Sequence, residues 1–193
     1  MELLGRKDWI RKYYPIAAQV TKGTGIFPET MLAMAVVESQ GKGSDGNYYP
    51  GLGLTARAAN NYFGIKDSSG WKGTTIDLPT PGDADKISTF RKYNNVGESI
   101  ADFINFLKVN PRYTNAGVFA APTYPEQIIA IAKAGYAENP NYSNIITSVA
   151  NKVKEYTADL KNTIDKNSGT LLPILIAGFL IGAFLLHKKL IGW

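Results

Sequence analysis

The sequence has no cysteine and a single histidine, His187, among its 193 residues. Without cysteine there can be no disulfide and no thiolate–metal site. His187 lies in the C-terminal tail, which excludes a multi-histidine metal centre and a triad built on a histidine base. If the chain is an enzyme, carboxylates must carry its proton chemistry, and no metal or cofactor is expected. The opening stretch MELLGRKDWIRKYYP has no apolar core of the length a signal peptide needs. Internal repeats and low-complexity segments are also missing.

What is present points to one helical domain and an appendage. At 193 residues the chain can bury a core without staples. Its net charge of +5 favours anionic surfaces. Bacterial wall polymers, phospholipid headgroups and nucleic acid all qualify, so charge alone does not choose. Trp9, Ile10, Tyr13, Ile16, Ala17 and Val20 form a helical stripe, with Pro15 either kinking that helix or starting its second half. Residues 41–56 read as loop, and Thr55 is placed to cap a short helix through Asn61. Short strands are expected at 63–66, 74–78 and 86–90, with LPTPGDAD at 78–85 as a hairpin turn. Helices are expected at 96–108, 124–133 and 142–162. In the first of these Ile100, Phe103, Ile104 and Leu107 share a face, while Glu98 and Asp102 fall outside it and read as solvated.

The most informative stretch is PETMLAMAVVESQGKGS, residues 28–44. Pro28 suits a first helical position, where its missing N–H does no harm. Met31, Leu32, Ala35, Val36 and Ser39 recur at helical spacing and should be buried on one face. Glu38 arrives in the last turn, and Gly41 and Gly43 end the helix. A carboxylate there meets the negative end of the helix dipole among apolar neighbours. Both influences raise its pKa, as a general acid working near neutral pH requires.

This stretch is followed, in order, by NNYFGIK (60–66), WKG (71–73), FRKY (90–93), ESIADF (98–103), RY (112–113) and AGYAENPNY (134–142). The ordered series, covering roughly residues 9–156, resembles the glucosaminidase family of peptidoglycan hydrolases, glycoside hydrolase family 73 in the lysozyme-like superfamily. The resemblance implies a mainly α (α+β) lysozyme-like domain with a small β-hairpin over residues 1–158. It implies hydrolysis of the β-1,4 bonds between N-acetylglucosamine and N-acetylmuramic acid, with Glu38 as general acid, peptidoglycan strands as partner and no nucleic acid.

Members of the family place a second carboxylate on the hairpin, and counting eleven residues on from Trp71 reaches Gly82, with Asp83 next. The chain departs from the family's glutamate there, and its hairpin looks shortened. Asp83 is the nearest substitute, ahead of Asp85 and Asp77, and the alternative is a simple turn residue. If Asp83 plays no part, the substrate's N-acetyl group or an intramolecular attack by the muramic O6 would fill the role, the latter making a lytic transglycosylase. Tyr136 matches the family's G-Y-A tyrosine near the catalytic glutamate. Asn61 matches a polar groove position, and Tyr62 and Phe63 offer sugar-stacking faces or core packing.

Residues 159–169 are polar and read as a linker. Residues 171–186, LLPILIAGFLIGAFLL, carry no charge, and residues 170–193 together are long enough to span a bilayer. His187, Lys188 and Lys189 can snorkel to the interface. Gly178 and Gly182 form a G-x-x-x-G that permits helix–helix association. The expected location is therefore a membrane, by one C-terminal helix: either the internal membrane of a virion or a bacterial envelope with the domain facing the wall. A wall-binding module without catalysis and a structural membrane protein are the readings from other functional classes.

Overall fold

Helix α2 (Pro28–Glu38) runs through the middle of the fold, with residues 29–36 all buried. The sequence stripe predicts one buried face. The helix is instead enclosed all round, because its intervening positions are Ala33, Met34 and Thr30, which suit a core as well as the stripe does. The computed structural model describes residues 3–68, 70–80 and 82–166. Two units divide the chain, Met1–Thr157 and Ala158–Trp193, and the features below belong to the first unless stated.

Helix α1 (Arg6–Thr21) packs on α2 and continues unbroken through Pro15. After α2 come a two-residue hairpin, β1 (Gly41–Lys42) with β2 (Tyr48–Tyr49), and helix α3 (Leu54–Ala59). Gly53 occupies the N-cap of α3 without a side-chain cap, so Thr55 lies inside the helix rather than capping it. Close backbone approach explains the glycines here. A Cβ on Gly41 would sit 2.6 Å from the Leu52 carbonyl carbon, and one on Gly53 2.8 Å from the Ser39 carbonyl oxygen. The loop is thereby folded against the end of α2, where the Gly53 N–H donates to the Ser39 carbonyl at 2.7 Å.

Strands β3 (Thr75–Thr80) and β4 (Asp83–Arg91) pair antiparallel. The expected long turn over 78–85 is mostly strand: Thr80 already pairs with Asp83, and the register shifts between Pro79 and Thr80. A two-stranded ribbon has only edges, so Pro79, lacking an N–H, is accommodated at this irregularity. The expected strand at 63–66 is absent as a strand and keeps a single bridge, Lys66 to Phe90.

Helix α4 (Val96–Val109) buries Ile100, Phe103, Ile104 and Leu107 and packs on α1. Glu98 is not simply solvated. Its N–H donates to the Asn95 side chain at 3.0 Å while its carboxylate accepts from the Asn94 N–H at 2.9 Å, closing the helix start. Asp102 accepts from Arg91 at 2.8 Å and from the Tyr93 hydroxyl at 2.7 Å, so it clamps α4 to the end of β4. Helices α5 (Pro111–Asn115) and α6 (Tyr124–Lys133) follow, joined by a 3₁₀ turn at Val118–Ala120.

Helix α7 (Tyr142–Lys166) runs beyond the expected end at 162, so the segment expected as linker from 159 is helical as far as Lys166. Among the described residues no helix is long and apolar enough to cross a membrane. The expected anchor at 170–193, with Gly178 and Gly182, lies outside the described residues. What is described is mainly helical with two small hairpins.

Candidate active site

Glu38 is the last residue of α2, followed by Ser39 at the C-cap. Ser39 is fully buried, and its hydroxyl donates back to the Ala35 carbonyl and accepts from the Gly51 N–H at 2.8 Å. That bond joins the helix end to the loop carrying Gly53 and Leu54. Glu38, Gln40, Leu54 and Thr55, together with Thr80, Gly82 and Asp83 of the hairpin, line a cleft of about 440 Å³. Glu38 lines this cleft as a solvent-exposed residue, and the protein packed around it still desolvates its carboxyl. Burial pushes its carboxyl above the ordinary value of 4.5, partly opposed by a hydrogen bond from the Tyr142 hydroxyl to Oε1 at 2.9 Å.

Tyr142 begins α7 and is 6% exposed. Its ring lies 5.5 Å from that of Tyr136, which in turn meets Phe103 edge-on at 5.5 Å. Burial and the nearby Glu38 charge raise the phenol pKa of both tyrosines, so both stay protonated. Beneath them Tyr113 is fully buried and accepts from Arg112 at 2.7 Å; the same arginine donates to the Gly135 carbonyl at 3.3 Å, in the turn that presents Tyr136.

The nominated residues therefore fall in different places. Glu38 and Asp83 line one cleft, and Tyr136 stands close enough to Glu38 to feel its charge. Phe63 stacks on Phe103 at 4.1 Å and lines a second cleft of about 860 Å³ together with Tyr136, Trp71 and Phe106. Asn61 does not line a groove: it is fully buried. Its Nδ2 donates to the Ile65 and Arg91 carbonyls at 2.8 and 2.9 Å, and its Oδ1 accepts from the Ile65 N–H at 3.0 Å. It fastens the 61–65 turn to β4, with both amide hydrogens engaged and no exposed surface for a sugar to meet. Tyr62 lies apart from the Glu38 cleft, beside Trp9 and Tyr13 around a cavity of about 90 Å³.

Tyr142 is the residue that sequence reasoning passed over. The signal was available: Tyr142, Ile146, Val149, Ala150 and Val153 form the inner stripe of the last helix, and a buried tyrosine needs a partner for its hydroxyl. Among the described residues no group of three or more His, Cys, Asp or Glu is placed to hold a metal.

A carboxyl raised in pKa and lining a cleft, on a helical domain with a small hairpin, is the arrangement of a glycosidase of the lysozyme-like kind. Residues 14–155 match the Glucosaminidase family, described as mannosyl-glycoprotein endo-beta-N-acetylglucosaminidase, and the chain belongs to that family of glycoside hydrolases. It is 30% identical over 170 residues to the peptidoglycan hydrolase FlgJ of Salmonella typhimurium, covering 86% of this chain and 52% of FlgJ. It is 29% identical over 136 residues to the exo-glucosaminidase LytG of Bacillus subtilis, covering 66% of this chain and 44% of LytG. The structure of the glycoside hydrolase domain of S. typhimurium FlgJ superposes with a TM-score of 0.63 at 28% identity, covering 87% of this chain and all of that domain. The chain thus spans about half the length of the curated relatives it matches.

Proposed function

We propose that this chain cleaves β-1,4 bonds between N-acetylglucosamine and N-acetylmuramic acid in peptidoglycan, with Glu38 as general acid. The observation that carries this reading is the Glu38 carboxyl, raised in pKa, in a cleft that Asp83 also lines. The name of FlgJ, a peptidoglycan hydrolase, supports the choice of polymer. Glu38 gives its proton to the glycosidic oxygen as the C1–O bond breaks, and the departing sugar leaves as a neutral alcohol. Positive charge develops at C1 and is answered by Asp83, by the substrate's acetamido group or by water. In the hydrolytic case one water is consumed: its oxygen joins C1 and its proton returns the acid–base pair to its starting state.

A lytic transglycosylase is the second reading. The hairpin turn is tight, and Asp83 starts a strand at an exposed position, which leaves room for a reaction in which Glu38 is the sole protein acid. Mass spectrometry of fragments released from purified peptidoglycan separates the cases. Reducing N-acetylglucosamine ends mark a glucosaminidase, reducing N-acetylmuramic ends a muramidase, and anhydro-muramic ends a transglycosylase. Absence of fragments, with binding retained, would leave a non-catalytic wall-binding module.

The uncharged run at 171–186 supports a single-pass anchor formed by residues 170–193. Such an anchor would hold the domain against the wall, either from an envelope membrane or from the internal membrane of a virion that breaches a host wall. Gly178 and Gly182 offer a helix–helix contact within it.

A further inference from the structure

We infer that Tyr142 is the positioning residue of the acid: its hydroxyl holds Glu38 Oε1 and leaves Oε2 as the oxygen that delivers the proton to the glycosidic bond. The inference rests on the reading of Glu38 as general acid. A glutamate at a helix end, open to a cleft, has three rotatable bonds and no intrinsic aim. The bond that fixes it is the 2.9 Å contact from Tyr142.

Tyr142 itself is held by the core. It is nearly buried, sits on the inner stripe of α7, and packs its ring on Tyr136, which leans on the fully buried Phe103. The orientation of the hydroxyl is therefore set by α7 and α4 rather than by the cleft. Because the phenol keeps its proton, it donates to Glu38 in both protonation states. When Glu38 is neutral, Oε1 is the acceptor and the acid proton resides on Oε2. As that proton leaves, the bond to Oε1 becomes charge-assisted and strengthens. An interaction stronger in the transition state than in the ground state raises turnover rather than affinity.

The ionisable groups around Glu38 are few. Tyr142 faces it from α7, Tyr136 from the preceding loop, and Tyr113 of α5 acts on these two tyrosines. Among the described residues lining the cleft, Asp83 is the other ionisable side chain.

The test is a titration of the Glu38 side-chain carboxyl carbon by NMR in the full chain, assigned by its disappearance in Glu38→Gln. In Tyr142→Phe the midpoint is expected to rise by about half a pH unit or more, because the carboxylate loses a donor while the burial remains. Turnover on peptidoglycan is expected to fall about tenfold with KM little changed. If Tyr142→Phe fails to fold, 3-fluorotyrosine placed at 142 replaces it. A more acidic phenol is a stronger donor, and the midpoint should then move down. A midpoint unchanged in the folded Phe variant, or unchanged by the fluorinated residue, overturns the inference. A wild-type chain that leaves peptidoglycan intact would defeat the functional reading, while the titration would still report whether Tyr142 holds Glu38.

Discussion

A general acid has to keep its proton near neutral pH while staying open to a long sugar chain. On the proposed reading Glu38 answers both demands: it ends α2 and lines the cleft, and burial raises its pKa. Its raised pKa fixes two signs. The acid form is lost as pH rises through the folded value, so activity governed by this group falls on the alkaline side. A carboxyl raised in the folded state also contributes stability that is complete below its unfolded value and disappears as pH rises through the folded one. Glu38→Gln should therefore match or exceed the wild-type melting temperature at pH 7 to 8, with the margin shrinking toward pH 4, as calorimetry at the two ends would show. Asp83→Asn should slow turnover roughly a hundredfold if Asp83 serves as base or stabiliser. An unchanged rate removes it from the site and leaves the single-acid mechanisms. Glu38 could be found from sequence because helix end, apolar neighbours and glycine turn are all local. The direction of Asn61 could not: an asparagine that fastens a turn and one that meets a sugar have the same letter, and the Arg91 carbonyl that claims this one lies thirty residues on.

At the scale of elements, the cleft depends on the joint between α2 and the 51–54 loop. Ser39 makes that joint with one hydroxyl, donating to Ala35 and accepting from Gly51. Ser39→Ala leaves the Gly51 N–H buried without its acceptor and should destabilise the domain by about 1–3 kcal/mol in urea unfolding. Asn61→Ala breaks three bonds in a fully buried turn and should cost about 3 kcal/mol or more. A loss below about half a kcal/mol in either would mean that water substitutes for these bonds. Helices α4 and α6 follow their 3.6-residue stripes and were legible almost to the residue. Segments governed by distant partners were not. Residues 63–66 have strand-like composition but find a single bridge, and the proline-containing turn tightens because the strands pair around a bulge. The Asp102 clamp on Arg91 and Tyr93 was hidden for the same reason, since spacing on α4 alone places Asp102 outside the apolar face.

For the molecule as a whole, the residues of the candidate site all fall within Met1–Thr157, as does the family match. Helix α7 buries Val153 and Thr157, and residues 158, 159, 161 and 162 are exposed. A chain ended after Lys161 should therefore fold and keep the wild-type activity, and, if residues 170–193 form the proposed anchor, the full chain alone should partition with membranes. Lost helicity in the shortened protein would instead assign residues 171–186 to the core. Glu38 is proposed as the proton donor, and the most direct measurement of that role compares soluble fragments released from purified peptidoglycan by the wild type and by Glu38→Gln. The wild type should release glycan fragments, and Glu38→Gln, folded and able to bind, should release essentially none. Release by Glu38→Gln at more than a tenth of the wild-type rate would contradict the assignment of Glu38 as the proton donor.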